Sequence, residues 1–428
     1  MDPRITIIIP TYNWSEALRC SIASVLAQTF PDFELLVIGD ACTDDSEQVV
    51  GSFGDPRIQW RNLSRRAGSQ SGPNNHGLRL ARGAYVAYLG HDDIWHPEHL
   101  ASLLDTIERL NADVACAVSV MYGPPGSGIR GLSGVFIEGE YRKEDFFPPS
   151  SMMHSRSLID RIGGWRAPES IAAPVDCEFL ERAHGVGARI VSSGRLTVFK
   201  FNASWRRDSY RRRDTSEQRA MTERLNADAS SCVEAELVGV LQAAREARMI
   251  EMRMPGESRA PAGHSFRVNT RFRGLTREEF PPLNQTRRFP ADDQGAGLEW
   301  YPLEHSTRFG PIRWSGPSMS STIALPIATP RRCHIRIRLL NLLKAPLAEE
   351  VRVLINDQVA AISFEQGPPP VATLSFVAVR ESESATALRI RLEVSKLRSP
   401  YFHHLGESED RRWLGVCLNW VEVEPLIG

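Results

Sequence analysis

An α/β amino-terminal domain followed by an antiparallel β-sandwich is the fold class this sequence predicts, and three observations carry it. Over the first 120 residues, short apolar runs alternate with segments of helical periodicity, the pattern of a mostly parallel, doubly wound central sheet. From residue 263 onward the character changes to short segments rich in β-formers with turn residues between them, the pattern of a sandwich or jelly roll. Between the two lies a charged helical stretch that ends in a linker-like segment, Pro255 to Pro261. A chain of 428 residues has room for this organisation, divided at 1–214, 215–262 and 263–428.

Each element has its own justification. Ile5 to Ile9 is a continuous apolar run, as a strand buried on both faces requires, and Pro10 stops it. Leu18, Ile22, Val25 and Leu26 recur at helical spacing up to Pro31. Leu35–Ile38, Ile58–Trp60, Tyr85–Leu89 and Val114–Met121 continue the strand series, with helices around Asn75–Leu80 and Pro97–Leu110. Residues 123–134 are rich in Gly and Pro and read as a loop. Ser157–Ile162 and Asp176–His184 read as short helices, Arg189–Val191 and Leu196–Phe201 as strands, and 215–250 as helical. In the last third, Ser321–Leu325, Ile335–Leu340, Val351–Ile355, Thr373–Val379, Ala387–Leu392 and Leu414–Val423 are the expected strands. Ile335, Ile337 and Leu339 alternate there with His334, Arg336 and Arg338.

Composition narrows the function classes. Lys and Arg total 51 against 52 Asp and Glu, a formal net charge of −1, so no bulk charge favours nucleic acid or an anionic membrane. No apolar run is long enough to span a bilayer, and Met1-Asp2-Pro3-Arg4 leads directly into the first strand, so neither a membrane segment nor a secretory signal is expected. Seven scattered cysteines without a Cys-x-x-Cys pair argue against a disulfide framework or zinc cage and for a reducing cytoplasm.

Two acidic turns carry the chemistry. Asp40, Asp44 and Asp45 follow one strand, and Asp92 and Asp93 follow another, both at the carboxyl edge of the expected sheet, where ligands bind in such folds. Converging carboxylates there can hold a hard divalent cation that neutralises a diphosphate. Taken singly, each turn is better explained by Asx-turns and helix caps, and only the two together point to a site.

The ordered series Ile7-Ile8-Ile9-Pro10-Thr11-Tyr12-Asn13, Val37-Ile38-Gly39-Asp40-Ala41-Cys42-Thr43-Asp44-Asp45-Ser46, Asn75-His76-Gly77, Ala81-Arg82-Gly83-Ala84-Tyr85 and Leu89-Gly90-His91-Asp92-Asp93-Ile94-Trp95 resembles the family 2 glycosyltransferases of the GT-A fold over residues 4–210. The resemblance implies an inverting enzyme that moves a sugar from a nucleotide-sugar donor, UDP-linked by default, to a hydroxyl of a cell-surface polysaccharide or lipid-linked glycan precursor. It implies that Pro10, Thr11, Tyr12 and Asp40 form the nucleotide-base pocket, and that Asn75, Gly77, His91 and Asp92 flank the donor. Asp92 and Asp93 would hold Mn²⁺ or Mg²⁺. Gly90 and Gly39 depart from the family pattern, each standing where an acid is usual. Asp176 in Val175-Asp176-Cys177-Glu178 matches the catalytic base, with Glu178 as the second choice. Chemistry asks this carboxylate to take the proton of the attacking hydroxyl. An N-cap role is the local alternative for Asp176.

Further candidates are His154, in a stretch that in similar proteins lies under the acceptor, and Arg206, Arg207 and Tyr210, an arginine-rich segment suited to closing over a diphosphate. A structural histidine and a solvated helix start are the competing readings of these. No nucleic-acid module accompanies the basic residues. A lipid-linked acceptor would bring peripheral contact with the inner face of the cell membrane. The sandwich resembles modules appended to bacterial polysaccharide glycosyltransferases, and its tryptophans are read as core or as a homo-oligomer interface rather than as sugar platforms. The reading from a different class is a non-catalytic nucleotide-sugar or glycan-binding scaffold.

Overall fold

The computed structural model describes residues 2–426 apart from 137, 138, 140, 247, 253, 255–261, 276–280, 292–296, 302, 357, 380–386, 401–407, 409 and 411. The linker expected at Pro255–Pro261 lies outside the described residues. By internal contacts the chain divides into two units, Met1–Arg273 and Gly274–Gly428.

The first unit opens with β1 (Ile5–Thr11), α1 (Ser15–Leu26), β2 (Phe33–Gly39), α2 (Ser46–Gly51), β3 (Ile58–Asn62), α3 (Ser71–Leu80) and β4 (Tyr85–Tyr88). These strands are apolar because the sheet is covered on both faces: Ile5, Ile7, Ile9, Leu35 and Val37 enter one core cluster and Ile8, Leu36 and Ile38 another. Helix α3 sits close on β1 because Gly77 has no side chain: a Cβ there would lie 2.8 Å from Ile8. The chain continues through β5 (Ile94–Trp95), α4 (His99–Arg109), β6 (Val114–Tyr122), β7 (Arg130–Ser133), β8 (Met152–Ser155), α5 (Leu158–Ile162), α6 (Val175–Gly185) and β9 (Ile190–Lys200). It closes with α7 (Ser209–Arg212), α8 (Ser216–Ala227), α9 (Ala229–Arg245), β10 (Met249–Glu251) and α10 (His264–Phe272).

The ten-stranded sheet runs β10-β7-β6-β8-β4-β1-β2-β3, with β9 beside β6 and β5. Strands β4, β1, β2 and β3 are parallel, as the alternating pattern predicts. Beyond them β8 enters antiparallel between β4 and β6, so the sheet is mixed rather than mostly parallel. Residues 130–133 pair with β6 as β7, where the Gly/Pro content suggests only loop. The helical stretch after 215 is broken at Asp228, whose carboxylate accepts from the Ser231 N–H and caps α9.

The second unit is a sandwich of two antiparallel sheets. One contains β11 (Arg287–Pro290), β12 (Glu304–Ser306), β13 (Gly310–Trp314), β15 (Arg332–Leu340), β18 (Ser363–Gln366), β19 (Val371–Val379) and β21 (Cys417–Pro425). The other contains β14 (Ser320–Ala328), β16 (Val351–Ile355), β17 (Gln358–Val359) and β20 (Ala387–Val394). Ile335, Ile337 and Leu339 of one sheet meet Ile323, Leu325, Ile390 and Leu392 of the other in a single core. Trp300 and Trp314 are buried, and the Trp300 indole N–H donates to the Thr322 carbonyl at 3.1 Å, which makes both core residues. Among the described residues no helix is long and apolar enough to cross a membrane. All seven cysteines are free thiols.

Candidate active site

The site is assembled at the carboxyl edge of β1, β2 and β4. The turn after β4 carries His91, Asp92 and Asp93, all buried. His91 is held from two sides. Its Nδ1 accepts from the Tyr12 N–H at 3.2 Å and the Thr11 hydroxyl at 2.9 Å, leaving Nε2–H to face the Tyr210 hydroxyl at 3.2 Å. Burial lowers its pKa to about 4, so the ring is neutral and the turn is locked to the end of β1. Trp14 and Tyr210 pack edge-on against each other over this ring.

Asp93 is fully enclosed and its carboxylate is consumed. One oxygen accepts from the Ser150 hydroxyl at 2.5 Å and the Lys200 ammonium at 2.7 Å, and the other from the Phe201 N–H at 3.1 Å. Burial alone would lower the Lys200 pKa, but the Asp93, Asp92 and Asp176 carboxylates outweigh it and hold the ammonium protonated. Asp92 differs from its neighbour. Its backbone carbonyl accepts from Gln218, but its carboxylate has no side-chain partner among the described residues, and burial raises its pKa. Gly90 explains itself here: a Cβ would lie 2.8 Å from Asp93 Oδ2 and 3.2 Å from Asp92 Oδ1.

Asp176 lies on the first turn of α6, half-buried, with Oδ1 accepting from the Cys177 N–H at 3.0 Å. Burial raises its pKa and the Lys200 charge partly offsets this. Lys200 thus pairs with Asp93 and feels two further carboxylates, Asp92 of the same turn and Asp176 of α6. Sequence reading missed Lys200, and also Ser150 and Arg273, whose charge reaches Asp92 from the end of α10. An unpaired Lys closing a strand of the resembling region is the only signal that could have flagged Lys200.

The other predicted residues divide. Thr11 and Tyr12 join the His91 network, and the Arg66 guanidinium lies 4.0 Å from the Tyr12 ring centre, a polar-aromatic face beside Pro10. Asp40 is buried, with its carboxylate accepting from the Ala67 and Gly68 N–H groups at 2.5 and 2.8 Å, so it fastens the loop before α3. Asp44 accepts from the Ser15 N–H and from Ser46, serving the starts of α1 and α2. Asn75 spends its amide on the Trp165 backbone, at 2.8 Å in both directions, and Gly77 packs on β1.

Four candidates are placed in fastening contacts. Glu178 is ion-paired with Arg182 and Arg166, which removes it as an alternative base. His154 is wholly buried, its Nδ1–H donating to the Ser155 carbonyl and Nε2 accepting from the Tyr88 hydroxyl, and burial lowers its pKa to about 4. Arg206 binds Glu217 in a two-pronged ion pair and donates to the carbonyls of Tyr122 and Gly123, so it cannot swing over a substrate without breaking both. Arg207 lies 4.6 Å from the Phe272 ring centre.

The donor set does not fit the expected Asp92/Asp93 clamp for Mn²⁺ or Mg²⁺. Both Asp93 oxygens are occupied by donors, one of them an ammonium, and Gly90 offers no side chain. Among the described residues no group of three or more His, Cys, Asp or Glu forms a metal cage.

Comparison with known proteins agrees with the reading of the first unit. Residues 6–161 match the glycosyl transferase family 2 model. The chain is 30% identical over 169 residues to the poly(ribitol-phosphate) beta-N-acetylglucosaminyltransferase TarP of Staphylococcus aureus, covering 37% of this chain and 50% of that protein. It is 34% identical over 122 residues to the Escherichia coli UDP-Glc:alpha-D-GlcNAc-diphosphoundecaprenol beta-1,3-glucosyltransferase WfgD, covering 28% and 46%. The chain therefore spans half or less of the length of these curated relatives. The structure of S. aureus TarS 1-349 in complex with UDP-GlcNAc is similar at 24% identity, covering 47% of this chain and 59% of that one, with a TM-score of 0.41. The family match lies wholly within the first unit.

Proposed function

We propose that the first unit transfers a sugar from a nucleotide-sugar donor, UDP-linked by default, to a hydroxyl of a cell-surface polysaccharide or lipid-linked glycan precursor, with inversion. The observation that carries this is that Lys200, paired with Asp93 at the carboxyl edge of the sheet, lies within electrostatic reach of Asp92 and Asp176 in a chain whose residues 6–161 match the family. TarP and WfgD, named for a polyol-phosphate polymer and a diphosphoundecaprenol-linked acceptor, support the acceptor class.

The chain's own residues account for the steps. The Tyr12 and Arg66 face takes the base, and Asp92, whose carboxylate has no side-chain partner among the described residues, accepts donor hydroxyls. Asp176 receives the acceptor's proton as its oxygen attacks the anomeric carbon. A base raised above the ordinary carboxylate range is a better proton acceptor near neutrality.

Asp176→Asn tests this. Transfer falls by about 10²–10⁴-fold while nucleotide affinity is kept. Because Asp176 must be ionised to act and burial raises its pKa, kcat/KM in the parent rises with pH along a limb centred above the ordinary value of 3.8. Full transfer by Asp176→Asn, measured with radiolabelled donor, would remove the base assignment. Nucleotide binding without transfer to any acceptor in the parent would favour the scaffold reading.

A further inference from the structure

We propose that Lys200, clamped by Asp93, is the resident cation of this site, and that the donor's diphosphate is bound and released against it without a divalent ion. The inference rests on the glycosyl-transfer reading above and concerns how the same site handles charge.

The geometry is specific. Lys200 ends β9, 107 residues from Asp93, yet its ammonium makes a 2.7 Å ion pair with a carboxylate that is entirely out of solvent. Both oxygens of that carboxylate already accept hydrogen bonds, Oδ2 from Ser150 and the ammonium itself and Oδ1 from the Phe201 N–H, so a metal there would have to displace a donor or sit beside the ammonium. Asp92 alone remains, and it lies in the field of Lys200, Arg206 and Arg273. A dication placed on Asp92 would be repelled by the same three positive groups that attract a diphosphate. A single carboxylate next to an ammonium is a poor dication site. The Lys200 side chain keeps 15% exposure while the Asp93 side chain has none, so of the pair only Lys200 retains any solvent-facing surface.

The transfer step balances with these groups. The bond between the anomeric carbon and the diphosphate oxygen breaks, and its electron pair leaves on that oxygen. The acceptor oxygen forms the new bond and gives its proton to Asp176. Lys200 stays protonated throughout and offsets the charge that builds on the leaving diphosphate, as a fixed donor in a partly dry site does.

The test is calorimetric titration of the full chain with uridine, UMP and UDP, with GDP and dTDP as alternatives, in EDTA and in Mn²⁺. The expected result is UDP binding in EDTA, with Mn²⁺ changing Kd by less than about threefold. Lys200→Met strands Asp93 in the interior, so the informative variant is the paired Lys200→Met/Asp93→Asn, with its thermal midpoint measured alongside. In it, UDP affinity drops at least about tenfold while uridine affinity changes less than about twofold. Lys200→Arg keeps most of the UDP affinity. Tight UDP binding only in Mn²⁺, or an unchanged UDP affinity in the folded paired variant, would overturn this inference and leave glycosyl transfer standing. No binding of any nucleoside diphosphate with or without Mn²⁺ would overturn both.

Discussion

The two acidic turns at the edge of the first unit's sheet are alike in composition and opposite in use. In the turn after β2, the Asp40 and Asp44 carboxylates are satisfied by backbone N–H groups, those of Ala67 and Gly68 and those of Ser15 and Ser46. They knit loops and helix starts together, using partners that any folded loop can supply. In the turn after β4, Asp93 is satisfied by a side-chain cation from a distant strand, and Asp92 is left without a side-chain partner among the described residues. A carboxylate met by backbone donors builds structure. One left near a buried ammonium builds a charged site, and that is where the chemistry belongs.

The comparison can be broken at its strongest point by Asp93→Ala, which leaves the Lys200 ammonium buried without its partner. The expected loss is about 3–5 kcal/mol of unfolding free energy, read from denaturant titration. A loss below about 1 kcal/mol would mean that the pair behaves as a solvated surface bridge. Acid sharpens it next. His91, His99 and His154 are neutral in the fold, with pKa values lowered by burial to about 4, 3 and 4 from an unfolded value of 6.5. The unfolded chain therefore takes up protons first, so stability is complete above pH 6.5 and is lost as pH falls toward 4. His91 alone accounts for about 2 kcal/mol between pH 7 and pH 5, and in His91→Gln that share of the acid sensitivity disappears. The smallest effect is expected at Asp40→Asn, which keeps an acceptor but loses the charge. It costs about 1 kcal/mol, and a larger loss in nucleotide affinity than in stability would show that Asp40 also meets the base.

Much of the fold was legible because its signals are local. The parallel strands β1, β2 and β4 are continuous apolar runs, and β15 alternates as a one-faced strand does. The mixed character of the sheet was not legible. Met152-Met153-His154 is too short and too featureless in sequence to show that it pairs antiparallel between β4 and β6. Short strands such as β7 and β12 were likewise hidden, since a strand of three or four residues is defined by its partner more than by its own composition. In the site, the turns were found by their acids, while the roles divided in ways composition does not encode. Glu178 and Arg206 read as functional until their ion-pair partners are seen.

By itself the sequence determined the two-unit character of the protein, the parallel half of the first sheet, the acidic edge and the family resemblance, all of which depend on spacings within a few residues. Only the tertiary structure decided which carboxylates are spent and which are available. That depends on contacts between residues 107 and 119 positions apart, Lys200 with Asp93 and Tyr210 with His91. The energy of a buried charge is set by what folding brings next to it, and two neighbouring aspartates can therefore end in different electrostatic states.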